Sequence, residues 1–344
     1  MSFFQLPILY AITLAFTIST ILNRVLINFA RNYKKKNNKN ERRLSNKNIP
    51  PYGGIATSFA FFTATIFLGR AEPAFITIGI CALVISIIGI IDDIYNLEWK
   101  GKLLVQTLII LYPLISLDIF INIEAFLNLD LQNFLNIVIS LIWVLVITNS
   151  INFIDNMDGL TVFVSGSICL QIAILANYSN IYKVTDISLL LLATLFGFLI
   201  YNYPPARLYF GDSGTLFVGY VLGFISIIFD WSPLNSGILI SPLSPVLFIF
   251  VVPILDFSVV ITHRIRNNIP PTQGGTDHIS HRLLNKGYSE KQVLLEFLFT
   301  SFIFYSLLIG TISFSGFISY LSAGLYLSFF TFSFLRYIKL DPLN

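Results

Sequence analysis

Residues 74–93 read AFITIGICALVISIIGIIDD: eighteen positions without a charge, closed by the pair Asp92-Asp93. A transmembrane helix uses about 20 such residues, since each advances it by roughly 1.5 Å through a hydrocarbon layer about 30 Å thick. Comparable stretches recur along the chain, approximately at 4–27, 54–70, 74–91, 103–121, 133–150, 160–178, 186–202, 214–230, 239–262, 292–313 and 315–335. The fourth is weakened as a continuous helix by Pro113. These runs predict an all-α, polytopic integral membrane protein of about 11 transmembrane helices. It forms one transmembrane domain over 1–344, with a basic cytoplasmic loop at 28–53 and a His-containing cytoplasmic loop at 263–291.

Composition points the same way. Only 11% of the 344 residues are charged and 55% are hydrophobic, with a mean hydropathy of +0.78, which excludes a soluble globule. Two cysteines exclude a disulfide scaffold, 33 phenylalanines exclude a disordered chain, and a net charge of +3 argues against a nucleic-acid binder. Cys81 and Cys169 fall inside apolar runs and are expected as small packed hydrophobes. No internal repeat is visible. The first run has no basic segment before it and exceeds a signal-peptide core in length, so it is expected to be retained.

Orientation follows from Lys and Arg, which stay on the cytoplasmic side. With eleven spans, nineteen of the 21 basic residues fall on one side, and only Arg70 and Lys183 on the other. The amino terminus is therefore expected outside and the carboxyl terminus inside.

Acidic residues collect on that same inner side. Asp92 and Asp93 end the third run, Asp155 and Asp158 follow the fifth, Asp212 precedes the eighth, and Asp256 lies within the ninth. Carboxylates are costly inside a bilayer, so they face a cavity or a partner. Gathered with Lys100, Lys102, His278 and His281, they supply hard oxygen ligands for a divalent cation and positive groups for a phosphorylated substrate. Outer acids (Glu72, Asp118, Glu124, Asp130, Asp186 and Asp230) are scattered and expected to be solvated loop charges. Gly53-Gly54, Gly159, Gly211, Gly214 and Gly274-Gly275 sit at the mouths of inner loops, where backbone N–H groups approach an anion closely and a following helix N-terminus adds a favourable dipole.

Five segments then occur in order: PPYGGIA with its core at 51–56, IIDDIYNLEWKGKLLVQ (90–106), TNSINFIDNMDGL (148–160), YNYPPARLYFGDSGT (201–215) and GGTDHISHRL (274–283). Together they resemble the polyprenyl-phosphate N-acetylhexosamine-1-phosphate transferases of cell-envelope synthesis. That resemblance covers about residues 51–287. It implies a Mg²⁺-dependent enzyme, with Mn²⁺ as a substitute, in the bacterial inner membrane. Such an enzyme passes a sugar 1-phosphate from a UDP-N-acetylhexosamine, UDP-GlcNAc above all, to undecaprenyl phosphate and releases UMP, starting a glycan such as lipopolysaccharide or teichoic acid. Partners so implied are the lipid carrier, the UDP-sugar, the bilayer and, as an option, a second copy in a homodimer.

By the same resemblance, Asp92 orients the lipid phosphate or acts as a base, and Asp93 and Asp212 hold the metal. Lys102 contacts phosphate. Asn152, Asp155 and Asp158 line the nucleotide pocket, Asn202 supports it, and Tyr209 covers the uracil. His278 and His281 contact the diphosphate or the sugar. The chain departs from the family pattern at Asn156, where Gly is usual, at Ser280, where the middle histidine is usual, and at Thr215, where Ser is common. Asp256 and His263 receive no role. Transfer of phospho-MurNAc-pentapeptide is the alternative within the family; an ion-coupled secondary transporter is the alternative outside it, disfavoured because these acids gather at one surface and not at the midplane.

Overall fold

In the computed structural model the described residues are 6–32, 49–69, 72–122, 132–229, 244–271, 273–314 and 316–342. Among them there are helices and no strands: α1 (Leu6–Asn32), α2 (Gly53–Phe67), α3 (Pro73–Tyr95), α4 (Trp99–Ser116), α5 (Gln132–Ile154), α6 (Leu160–Tyr178), α7 (Tyr182–Asn202), α8 (Gly211–Ile228), α9 (Ser244–Ile249), α10 (Val251–Arg266), α11 (Ile279–Asn285), α12 (Glu290–Ser313) and α13 (Phe317–Ile338). The chain is an all-α polytopic membrane protein. The basic stretch 33–48, Arg70, Glu124, Asp130, Asp230 and the start of the ninth apolar run lie outside the described residues.

Eight of the described helices are long and apolar enough to cross a membrane: α1 through Phe29, α3, α5, α6, α7, α8, α12 and α13. The three remaining expected spans are shaped differently. α2 has 15 residues, a rise of about 22 Å. α4 begins earlier than expected, at Trp99, and so takes Lys100 and Lys102 into its first turn. It runs through Pro113 to Ser116 and exposes Leu104, Leu108, Tyr112 and Ile115, a stripe at helical spacing suited to lipid. The ninth run is divided at Phe250 into α9 and α10. Cys81 and Cys169 are buried and free, as expected.

α8 is the central helix. It packs chiefly on α3 and α5 and also on α2, while α1, α6 and α7 form a neighbouring layer. Nearly every α8 side chain from Ser213 to Ser226 is buried. Close approach depends on missing side chains: a β-carbon at Gly219 would lie 2.6 Å from Thr148 Cα of α5, and one at Gly89 of α3 would run into the backbone of Asp212 and Ser213. The second contact carries the end of α3 against the start of α8. Trp143 Nε1 donates to Ser226 Oγ at 2.9 Å, a polar tie between α5 and α8 within the apolar core.

One of the outer acids is not solvated: Asp186 is buried, because α7 begins at Tyr182 and takes it into the helix. Glu72 is exposed as expected and pairs with Lys183 at the surface.

Candidate active site

The end of α3 sets the first carboxylates. Asn96 takes the left-handed conformation (φ 51°) and its N–H bonds Asp92 O at 2.8 Å, which stops the helix. Asp92 Oδ1 accepts the Leu97 N–H at 2.7 Å, and the short turn returns the chain into α4. Lys102, one turn into α4, reaches back so that its Nζ donates to Asp92 Oδ2 at 2.7 Å and also to Asp212 Oδ2. Asp212 Oδ1 accepts from Asn152 Nδ2 at 3.0 Å, and the same amide group donates to Thr215 Oγ1 at 2.7 Å. Three expected site residues thus converge on one ammonium or on its partner. The side chains of Asp92, Lys102 and Asp212 are 14–29% exposed, open enough to receive a ligand.

Asp93, expected to hold the metal together with Asp212, faces another way. Its oxygens accept the N–H groups of Asp212 at 3.1 Å and Ser213 at 3.4 Å, so it caps the N-terminus of α8. Gly211, at φ 73°, makes the turn into that helix, and a β-carbon there would strike Pro51 O. The backbone of 50–54 holds the turn from the other side: Tyr209 N donates to Pro50 O, Gly53 N to Tyr209 O and Gly54 N to Phe210 O, each at 3.0 Å. The glycine pair of PPYGGIA therefore packs against the backbone of the turn that leads to Asp212.

The remaining expected residues brace the surrounding loops. Asp158 Oδ2 accepts the Ala206 N–H at 2.8 Å, and Asp155 Oδ1 accepts the Thr161 hydroxyl at 2.9 Å. Asn202 is buried; its Oδ1 accepts the Gly159 N–H and its Nδ2 donates to Leu208 O, both at 2.9 Å, so it joins the loop after α5 to the loop before α8. Tyr209 is buried beside that junction.

The histidine loop folds onto the end of α5 as well. His278 stands edge-on to Phe153, with ring centroids 6.0 Å apart, next in sequence to Asn152. Its Nδ1 bonds Asp256 Oδ2 at 2.8 Å. His281 is fully buried and neither ring nitrogen has a hydrogen-bond partner; burial pushes its pKa down to about 4, so it is a neutral packed imidazole near pH 7.

Sequence reasoning left Asp256 open and missed Arg264 and Asp277. Arg264 Nε and Nη2 bind Asp277 Oδ2 and Oδ1 at 2.9 and 2.8 Å, a bidentate buried pair, while Nη1 donates to Pro271 O at 2.7 Å. Burial alone would raise the Asp277 pKa, but the guanidinium holds it below the usual carboxylate range. Asp256 and Arg264 are eight positions apart, two helical turns on one face of α10; that spacing was the available signal. The partner half, Asp277-His278, lies too far along the chain for any periodicity to connect.

Among the described residues, no three His, Cys, Asp or Glu side chains form a metal cage. Mg²⁺ is commonly held by only one or two carboxylates, with water and substrate phosphate completing its shell. Asp92 and Asp212 meet that description: both aim an oxygen at one cationic position, occupied here by the Lys102 ammonium.

Comparison with known proteins bears on the same residues. The family model described as glycosyl transferase family 4 matches residues 75–230, a range containing Asp92, Lys102, Asn152 and Asp212. The chain is 30% identical over 267 residues, 76% of its length and 73% of the relative's, to a probable undecaprenyl-phosphate N-acetylglucosaminyl 1-phosphate transferase of Bacillus subtilis. It is 27% identical over 277 residues (72% and 69%) to a decaprenyl-phosphate N-acetylglucosaminephosphotransferase of Mycobacterium leprae. A phospho-N-acetylmuramoyl-pentapeptide-transferase of Rickettsia felis is 29% identical over 255 residues, 63% of this chain and 71% of that one.

Proposed function

The chain belongs to glycosyl transferase family 4, and from that membership we propose that it moves N-acetylglucosamine 1-phosphate from UDP-GlcNAc onto undecaprenyl phosphate, yielding undecaprenyl-diphosphate-GlcNAc and UMP and starting a cell-envelope glycan. The observation that carries this is the convergence of Asp92, Asp212 and Asn152 around Lys102, where α3, α4, α5 and α8 meet. The basic asymmetry of the sequence puts this cluster on the cytoplasmic side, where nucleotide sugars are made.

An oxygen of the lipid phosphate attacks the β-phosphorus of the UDP-sugar; the bond from that phosphorus to the bridging oxygen breaks, and UMP leaves with the electron pair. A phosphate monoester is largely dianionic near neutrality, its second pKa being about 6, so little base catalysis is needed. Positioning and charge neutralisation dominate instead. Lys102 meets the phosphates, giving up its partners in turn, and Asp92 orients the lipid phosphate. Mg²⁺ held by Asp212, with Asp92 beside it, would neutralise charge on the diphosphate as it develops. Asn152 keeps the Asp212 carboxylate turned toward that position.

The test is release of UMP by purified protein supplied with undecaprenyl phosphate, Mg²⁺ and a panel of UDP-sugars. UMP from UDP-GlcNAc, abolished by leaving out the lipid, is expected. Turnover of UDP-MurNAc-pentapeptide alone would move the assignment to the peptidoglycan branch, and no UMP from any donor would overturn it.

A further inference from the structure

We propose that Asp256, a carboxylate within α10, is a positioning residue that sets which nitrogen of His278 carries the proton. The proposal rests on the transferase function above for what His278 meets, and on geometry for the rest. Asp256 and His278 are almost wholly enclosed, with side chains 1% and 8% exposed. Both carboxylate oxygens point at the histidine loop: Oδ2 at His278 Nδ1 and Oδ1 at the Ile279 N–H, each at 2.8 Å. A carboxylate offers acceptors only, so Nδ1 is the protonated nitrogen and Nε2 carries the free lone pair.

The opposite edge of the ring is different. Nε2 makes no hydrogen bond to the described residues, and unlike both nitrogens of His281 it is not sealed away. Phe153 backs the imidazole, and the Arg264–Asp277 pair fixes the residue before it, so rotation of the ring has little room. Arg282 Nε adds a bond to Asp277 O at 2.8 Å. The loop is thus anchored on α10 at successive residues, 277, 278 and 279. What remains for a ligand is Nε2, an acceptor for a sugar hydroxyl or amide N–H, on a ring packed against Phe153 at the end of α5. A carboxylate behind a histidine at Nδ1 is a recurrent way to fix ring tautomer and raise basicity at Nε2. In this chain it explains an acid at a depth where an unpartnered carboxylate would be costly.

The experiment is ¹⁵N NMR of the reconstituted full-length protein labelled at its three histidines, without substrate, alongside steady-state kinetics. Wild type is expected to show His278 protonated at Nδ1. In Asp256→Asn the amide still accepts from Ile279 N–H but can donate to Nδ1, so the proton moves to Nε2; kcat drops about tenfold or more while KM for UDP-GlcNAc stays within about threefold. Asp256→Glu restores the wild-type tautomer and part of the rate. A wild-type His278 protonated at Nε2, or an Asp256→Asn protein with unchanged tautomer or unchanged kcat, overturns the proposal. If Asp256→Asn does not fold, the wild-type and Asp256→Glu spectra decide. Because the tautomer is read without turnover, absence of UMP release in wild type would sink the function above and leave this inference to its own readout.

Discussion

Ser280 donates its hydroxyl to the side-chain oxygen of Asn156, so two of the three positions at which this chain departs from the motifs it resembles touch one another. Both are buried, and Asn156 Nδ2 is bound to Phe153 O at 3.0 Å. The nucleotide-motif loop and the histidine loop are therefore joined by two residues that the family pattern lacks.

Breaking that pair from one side leaves a buried polar group unsatisfied, at a cost of about 1–3 kcal/mol. Ser280→Ala should lower the unfolding midpoint in detergent by that equivalent, and Asn156→Ala likewise. In the double variant the losses should be clearly less than additive. Full additivity in thermal unfolding would show that the contact carries no energy.

Lys102→Met removes the ammonium between Asp92 and Asp212, leaving two carboxylates facing each other and a diphosphate without its cation. UMP release should fall about a hundredfold or more. Lys102→Arg keeps the charge but spreads it over a planar fork, and should recover only a fraction. A Lys102→Met protein turning over near the wild-type rate would refute the role given to this residue.

Asp92→Asn distinguishes orientation from proton transfer. As an orienting group, its loss should lower kcat by a similar factor across the pH range. Recovery to near wild-type turnover at high pH would instead mark Asp92 as a base bypassed by hydroxide. Asp212→Asn should raise the Mg²⁺ concentration for half-maximal activity about tenfold or more. An unchanged titration would separate Asp212 from the metal.

His281 predicts an acid sensitivity. Its folded pKa, about 4, lies below the ordinary 6.5, so between those values the unfolded chain binds the extra proton. Stability from this group is full above about pH 6.5 and declines as pH falls toward 4. His281→Leu should flatten that part of the stability-versus-pH curve, measured by urea or thermal unfolding; an unchanged slope would assign the sensitivity elsewhere.

Much of this was legible in advance, for specific reasons. Apolar runs such as 74–91 are visible because hydrocarbon tolerates little else, and the acids at their ends stand out against them. α3 carries Asp92 and Asp93 in its last turn and runs on to Tyr95, a little past the end expected, and α6 matches residues 160–178 as read. The break at Phe250 was invisible, since both sides of it are equally apolar. The start of α4 at Trp99 was hidden because Lys100 and Lys102 look like loop residues until their carboxylate partners are known. Asp186 looked solvated only because the start of α7 was placed too late. Asp256 stayed unexplained because its partner lies 22 residues away across a turn, and residue patterns report neighbours on a helix face, not partners brought back by a loop.

Asp93 already occupies the amides that open α8, and this bears on inhibitor design. An acidic warhead aimed at that helix end would find its donors engaged and a negative neighbour in place. A compound bearing a compact amine, sized to displace the Lys102 ammonium from between Asp92 and Asp212, meets two acceptors set in advance, and so is the better starting scaffold.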